Sequence, residues 1–195
     1  MELLCREDLT LPLSADDCAA ALNGFLSGVE KRAYRMARIA LRHDDDALDA
    51  VQDAMLSLAR SYARRDPSEW PALFHRILQN RIRDQQRRRA VRGRVLALLP
   101  WRRDADDADA DPIAEAPDPT PGPVAQLEAA ALMATLTTAV RELPARQREA
   151  FLLRGMEGLD VAATAVAMGC SDGSVKTHYF RALHALRAKL GDQWP

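Results

Sequence analysis

Residues 159–190 read LDVAATAVAMGCSDGSVKTHYFRALHALRAKL, and the fold follows from how this stretch divides. Two helical runs, 159–168 and 174–190, flank the turn Gly169, Cys170, Ser171, Asp172, Gly173. Gly169 has access to the positive φ that such a turn needs, and the small Ala165 lets the helices approach closely. In the second run Val175, Tyr179, Ala182 and Leu186 recur at spacings of four, three and four, a core-facing stripe. Opposite it stand Ser174, Thr177, Arg181 and His184, with Lys176, His178 and Phe180 at the margins. A polar, basic start to a helix that follows a tight turn is what base edges and phosphates in a major groove require. The bland alternative is a solvated face. Phe180, an aromatic outside the core stripe, favours a partner surface.

Outward from this pair, residues 124–156 form a helical lead-in that pauses at Leu143 and Pro144 and breaks at Gly158. Before it lies the sharpest boundary in the chain. Asp104, Asp106, Asp107, Asp109, Asp111, Glu115 and Asp118 alternate with small residues and with Pro112, Pro117, Pro119, Pro121 and Pro123. Such a stretch buries too little apolar surface to offset its ordering entropy and reads as an extended linker. The charge partition agrees: +5 over residues 1–103, −8 over 104–128 and +2 over 129–195. Both flanks are rich in Ala, Leu and Arg with little β-type alternation. An all-α protein is expected, with two small helical domains at 1–100 and 126–195 joined by an acidic, Pro-rich linker at 101–125.

In the first domain the pattern predicts helices near 16–28, 29–42, 45–64 and 68–89, with starts signalled by Ser14 and Asp16, by Asp44, Asp45 and Asp46, and by Ser68 after Pro67. In the last of these, Trp70, Leu73, Phe74, Ile77 and Leu78 share one side, while Arg76, Asn80, Arg83 and Arg87 form a polar stripe. Eight arginines lie between His75 and Arg94 against the single acid Asp84, enough positive potential to hold a phosphate backbone. Arginines beside Trp70, Phe74 and His75 also suit single strands, whose bases stack on aromatics, although Trp70 and Phe74 are each more often simple core residues. The preceding helix has the contrary polarity. Leu48, Val51, Met55, Leu58 and Tyr62 make its core stripe, and Asp45, Asp46, Asp49, Gln52 and Asp53 project elsewhere. Acids in the first turn suit the helix dipole. Asp49 and Asp53 lie beyond it, without i, i+4 basic partners, and such a face repels itself unless a basic partner neutralises it.

Several function classes drop out. No G-x-G-x-x-G, G-x-x-x-x-G-K-[ST] or H-E-x-x-H occurs, so an enzyme is not expected. Cys5, Cys18 and Cys170 form no C-x-x-C pair, and Cys170, His178 and His184 lack a fourth metal ligand, so neither metal nor cofactor is expected. Glu2, Glu7 and Asp8 stand where a signal peptide needs a basic and then apolar run, and no stretch matches a membrane span, so a cytoplasmic location is expected.

Together these segments resemble a bacterial sigma-70 factor of the small, two-domain extracytoplasmic-function (ECF) group. DDALDAVQDAMLSLARSY resembles the region-two helix that docks on the polymerase β′ clamp helices; WPALFHRILQNRIRDQQRRR is similar to the promoter-opening helix; and LPARQREAFLLRGMEGLDVAATAVAMGCSDGSVKTHYFRALHALRAKL is similar to region four. The resemblance implies a non-catalytic subunit that directs core RNA polymerase to promoter DNA. Asp46, Asp49, Gln52 and Asp53 would bind polymerase. Trp70, Arg76, Asn80, Arg83 and Arg87 would meet the minus-ten element, with the loop 61–70 holding an extruded base. Ser174, Lys176, Thr177, His178, Phe180 and Arg181 would face the minus-thirty-five groove. Phe151 and Leu152 would sit near the β flap, the linker would thread the polymerase channel, and an anti-sigma factor would be a further partner.

The sequence departs from the group in places. The loop RSYARRDPSEWP carries Pro67 and Pro71, and His178 stands where a second arginine is frequent, an uncharged side chain at neutral pH if unperturbed. Two other functions compete. A stand-alone helix-turn-helix regulator leaves the acidic helix and the arginine helix without a task. A sigma-like decoy has no need of Arg76, Arg83, Arg87, Lys176 and Arg181.

Overall fold

The computed structural model describes residues 15–97 and 123–191. The linker residues 104–122, together with Cys5 and Ser14, lie outside the described residues. Every regular element among the described residues is helical: α1 (Ala15–Leu41), α2 (Asp44–Tyr62), a 3-10 turn (Pro67–Glu69), α3 (Trp70–Ala97), α4 (Pro123–Arg141), α5 (Ala145–Phe151) running into a π-helical turn (Leu152–Met156), α6 (Val161–Met168) and α7 (Asp172–Leu190).

The two helices expected at 16–28 and 29–42 are one. Leu22, Phe25, Leu26, Val29, Ala33 and Met36 keep three- and four-residue spacing across Gly24 and Gly28, and all are buried or half-buried. Each glycine costs a helix about 1 kcal/mol, less than the roughly 1.5 to 3 kcal/mol gained per large buried apolar side chain on that stripe. The helix ends at Arg42, which takes a left-handed φ of 57°.

The start of α2 is capped from outside the acidic run, by His43 Nδ1, which accepts from the Asp46 N–H at 3.4 Å. Asp44 instead reaches back to α1, accepting from the Tyr34 hydroxyl at 2.8 Å and pairing with Arg38. Asp66, rather than Ser68, opens the turn before α3; it accepts from the Ser68 N–H at 2.8 Å and from its hydroxyl at 2.6 Å. These two bonds hold the Asp66 carboxyl below its ordinary pKa.

Helices α1, α2 and α3 pack around Met36, Val51, Leu58, Phe74 and Leu78, all essentially inaccessible. Phe25 meets Trp70 at 6.1 Å and Phe74 edge-on at 6.0 Å. A second core, built by α5, α6 and α7, centres on Leu152, Leu153, Met168, Val175 and Leu186. Its helices come close because Ala165, Ala167 and Ala182 stand at the contacts, all buried. The two units touch: α6 lies along α3, and α4 approaches α1.

Candidate nucleic-acid interface

Helix α7 is set by its turn. Gly169 adopts φ 64°, which lets the Cys170 N–H return to the Ala165 carbonyl at 3.1 Å, and Ser171 Oγ then accepts from the Ser174 N–H at 3.3 Å. Burial of Val175, Ala182 and Leu186 fixes the rotation of α7. Tyr179 is half-buried beneath the Arg154 guanidinium, 5.6 Å from its ring centroid. Lys176, Thr177, Phe180 and Arg181 are consequently exposed, and Ser174 and His178 half-buried. Phe180 is 70% exposed and stacks on His184, with centroids 6.5 Å apart. Apart from that stack the Phe180 ring faces solvent, beside the exposed Lys176, Thr177 and Arg181. Cys170, at the turn, has its thiol pKa raised by burial, which keeps it protonated.

In α3 the structure separates residues that the sequence grouped. Trp70, expected at the minus-ten strand, is 1% exposed, and its indole N–H donates to the Tyr62 carbonyl at 3.1 Å. It closes the loop 61–70 from inside, and that contact to DNA is withdrawn. Phe74 is equally buried, and His75, also buried, packs edge-on against it at 5.2 Å. Arg76, Asn80 and Arg87 are exposed. The Arg83 side chain is 31% exposed; its Nη2 donates to Glu149 Oε1 of α5 at 2.8 Å and lies 3.5 Å from the Met168 carbonyl.

The acidic face of α2 is also partly engaged. Asp49, Gln52 and Asp53 are exposed, but Asp46 pairs with Arg89 at 2.6 Å and Asp53 lies 3.7 Å from Arg81. The basic partner missing along α2 itself is thus supplied by α3. Leu48, expected in the core, is 45% exposed and Leu56 51% exposed, so the acids flank an apolar strip. Phe151 and Leu152, expected near the β flap, are buried in the second core.

Two acids escaped the sequence reading. Glu149, 7% exposed at its side chain, bridges Arg83 and Arg146, the latter at 3.1 Å. Glu157, on the far side of the π-helical turn, receives Arg32 Nε at 3.2 Å and lies 3.4 Å from His75 Nε2, with its side chain 2% exposed. Burial works against the Glu157 carboxylate, but the hydrogen bond and charge of His75, and then Arg32, outweigh it and hold its pKa below the ordinary value. Arg146 is a local partner of Glu149, but the other partners lie far off in sequence, Arg83 66 residues from Glu149 and Arg32 125 residues from Glu157.

The family model of sigma-70 region 4 matches residues 133–186. The chain is 34% identical over 167 residues to the ECF RNA polymerase sigma factor SigM of Mycobacterium tuberculosis, covering 83% of this chain and 72% of SigM. Among solved structures it is similar to CnrH in complex with the cytosolic domain of CnrY, with a TM-score of 0.56, 22% identity, and 89% and 94% of the two chains covered. It is also similar to the sigma factor RpoE in complex with the anti-sigma factor NepR from Bartonella quintana, with a TM-score of 0.55, 24% identity, and 91% and 96% covered.

Proposed function

The chain belongs to the ECF RNA polymerase sigma factors, which are transcription initiation factors rather than enzymes, and from that premise we propose how its surfaces divide the work. Residues 1–100 form the polymerase-binding and minus-ten domain, 101–125 a tether, and 126–195 the minus-thirty-five domain. Asp46, Asp49, Gln52 and Asp53 dock on the β′ clamp helices, with Leu48 and Leu56 supplying apolar area between them. Arg76, Asn80, Arg83 and Arg87 take the non-template strand of the minus-ten element and promote opening. Ser174, Lys176, Thr177, His178, Phe180 and Arg181 enter the minus-thirty-five major groove, while the α5 end of the domain faces the β flap. An anti-sigma factor, the partner in the RpoE complex, covers the same faces. The work is done in the cytoplasm, where the polymerase is; no helix among the described residues is long and apolar enough to cross a membrane.

The observation that carries this reading is the exposed start of α7, where Lys176, Thr177, Phe180 and Arg181 share a surface opposite a buried stripe. Guanidinium and ammonium groups supply phosphate and guanine contacts, and an exposed ring meets thymine methyls.

The test is run-off transcription with core polymerase lacking any sigma, on a genomic promoter pool. Specific start sites are expected with the wild type. They should disappear with Asp49→Arg plus Asp53→Arg and with Lys176→Ala plus Arg181→Ala. Retained duplex binding without any polymerase binding would instead make the protein a stand-alone regulator.

A further inference from the structure

Between α3 and α5 lies a cavity of about 90 Å³, walled by Arg83 and Gln86 on one side and by Ala145, Arg146, Arg148 and Glu149 on the other. Three guanidiniums share it with a single carboxylate, so positive charge is in excess by two. That carboxylate is already engaged: Glu149 accepts from Arg83 Nη2 at 2.8 Å and from Arg146 Nη1 at 3.1 Å. Arg148 is left with carbonyls. Its Nη1 donates to the Arg141 carbonyl at 3.0 Å and lies 3.5 Å from the Leu143 carbonyl, and among the described residues it forms no ion pair. Burial, and then the charge of Arg42, push its pKa below the ordinary guanidinium value. Arg83 adds a donor without an acceptor, for its Nε is buried and hydrogen-bonds to nothing among the described residues. A half-buried guanidinium without a carboxylate and a buried N–H without an acceptor each cost free energy, and one anion can relieve both.

We propose that this cavity binds a compact oxyanion of the phosphate class, held by Arg83 Nε and by the remaining N–H groups of Arg146 and Arg148. Size and lining both select a small ion. A volume of about 90 Å³ is roughly the share of three waters in the liquid, too little for a nucleoside. No aromatic side chain lines the wall for a base to stack on. Guanidinium donors lie in a planar fork that matches the oxygens of a tetrahedral oxyanion, a match that a chloride ion cannot use. Both oxygens of Glu149 already accept from arginines, so its charge is compensated before the ion enters. Because Arg83 belongs to α3 and Arg146 and Arg148 to α5, the bound ion touches both helices, and it stabilises the folded chain by mass action.

The test titrates the full chain with inorganic phosphate, read by calorimetry and by melting temperature, in chloride buffer at constant ionic strength so that general screening does not change. Saturable one-to-one binding is expected, with a Kd of about 1 mM or below. Arg148→Gln should abolish it. Since Arg148 also holds the carbonyls before α5, a second pair of variants spares the fold. Ala145 is exposed at the cavity; Ala145→Glu adds a negative charge there and should weaken phosphate at least about tenfold, whereas the neutral Ala145→Gln should leave the affinity unchanged. A nucleoside triphosphate is titrated in parallel. If it binds more tightly than phosphate and loses affinity in Ala145→Glu, the ion is the phosphate end of a larger molecule reaching in from outside; if only inorganic phosphate binds, the ligand is the free oxyanion. Either result supports the site. Absence of saturable phosphate binding by both readouts overturns it. Equal phosphate binding by the wild type and Ala145→Glu would place the anion elsewhere on the arginine-rich surface, and also overturns it.

Discussion

Helices α3 and α7 both carry basic stripes, and the molecule treats them oppositely. In α7 the polar residues of the first two turns face solvent, and the buried side is small and apolar. In α3 the arginines are tied back one after another: Arg81 toward Asp53, Arg83 to Glu149, and Arg89 to Asp46 and to the Leu41 carbonyl at 2.8 Å. Eight arginines in a row of twenty residues therefore overstate the positive charge that α3 offers a ligand. An arginine count measures potential only after the acids brought in by the fold are subtracted, and here several come from other helices.

The contrast extends to the cores. The first core carries the packed rings of Phe25, Trp70 and Phe74, whereas the second centres on the aliphatic Leu152, Leu153, Met168, Val175 and Leu186. Trp70→Ala is expected to give the largest effect, a loss of about 3 to 5 kcal/mol from the cavity and the orphaned Tyr62 carbonyl. Urea denaturation checks it, and a loss under about 1 kcal/mol would return Trp70 to the surface. In the second unit the sensitive point is backbone. Gly169→Val forces a β-branched residue into left-handed φ, at a cost of roughly 1 to 2 kcal/mol. Thermal melts should show it, with duplex binding weakened as the orientation of α7 loosens.

Next in size are the side chains of α7. Lys176→Ala should lower duplex affinity about tenfold and reduce the slope of log affinity against log salt by about one. The comparison sharpens if Arg89→Ala, whose guanidinium is already occupied, leaves that slope for duplex unchanged. A fall for Arg89→Ala equal to that for Lys176→Ala would mean that pairing in the free chain says little about which charges DNA receives.

How much of this was legible follows from the range of each interaction. The helix-turn-helix, the α7 stripe and the all-α class were readable because they depend on residues three or four apart. The continuity of α1 was readable too, since Leu22, Phe25, Val29, Ala33 and Met36 stay in phase across Gly28; the glycines were given more weight than the stripe. The cap on α2 was hidden by its neighbours, for three aspartates drew attention from His43. Glu149 and Glu157 were not readable at all. Arg83, Arg32 and His75 lie in another unit, and an i, i+3 pair such as Arg146 with Glu149 looks the same in sequence whether the acid is buried or exposed. Trp70 failed differently: an aromatic beside arginines fits a base-stacking platform as well as the more usual core position, and its burial with the indole hydrogen bond to Tyr62 decides between them.

Acid titration tests the contact between the units by a route that needs no substitution. The Glu157 carboxyl has its pKa depressed in the folded chain by His75 and Arg32 against the opposing effect of burial. A carboxylate whose folded pKa lies below its unfolded value of about 4.3 contributes its full stabilisation above that value and loses it as pH falls through the folded pKa. Over that window, below about pH 4.3, the wild type should lose stability more steeply than Glu157→Gln, which has no carboxyl to protonate. Parallel curves from urea midpoints across this range would mean that Glu157 is as well solvated in the folded chain as in the unfolded one.

The smallest effect is expected where α3 most resembles α7, at an arginine the fold leaves in solvent. The Arg87 side chain is 80% exposed, and its ion pair with Asp84, a turn earlier, is long at 3.8 Å. Pairs of this kind contribute roughly 0 to 0.5 kcal/mol, because solvent screens them and two long side chains lose freedom to form them. Arg87→Ala should therefore leave the urea midpoint almost unchanged. Among the described residues no other helix holds its charge, as Glu149 holds Arg83, so the same substitution should weaken binding to a single-stranded oligonucleotide pool more than Arg83→Ala does. An equal loss for the two substitutions would mean that the pair with Glu149 does not withhold Arg83 from a strand, and the division of α3 into held and free arginines would have to be redrawn.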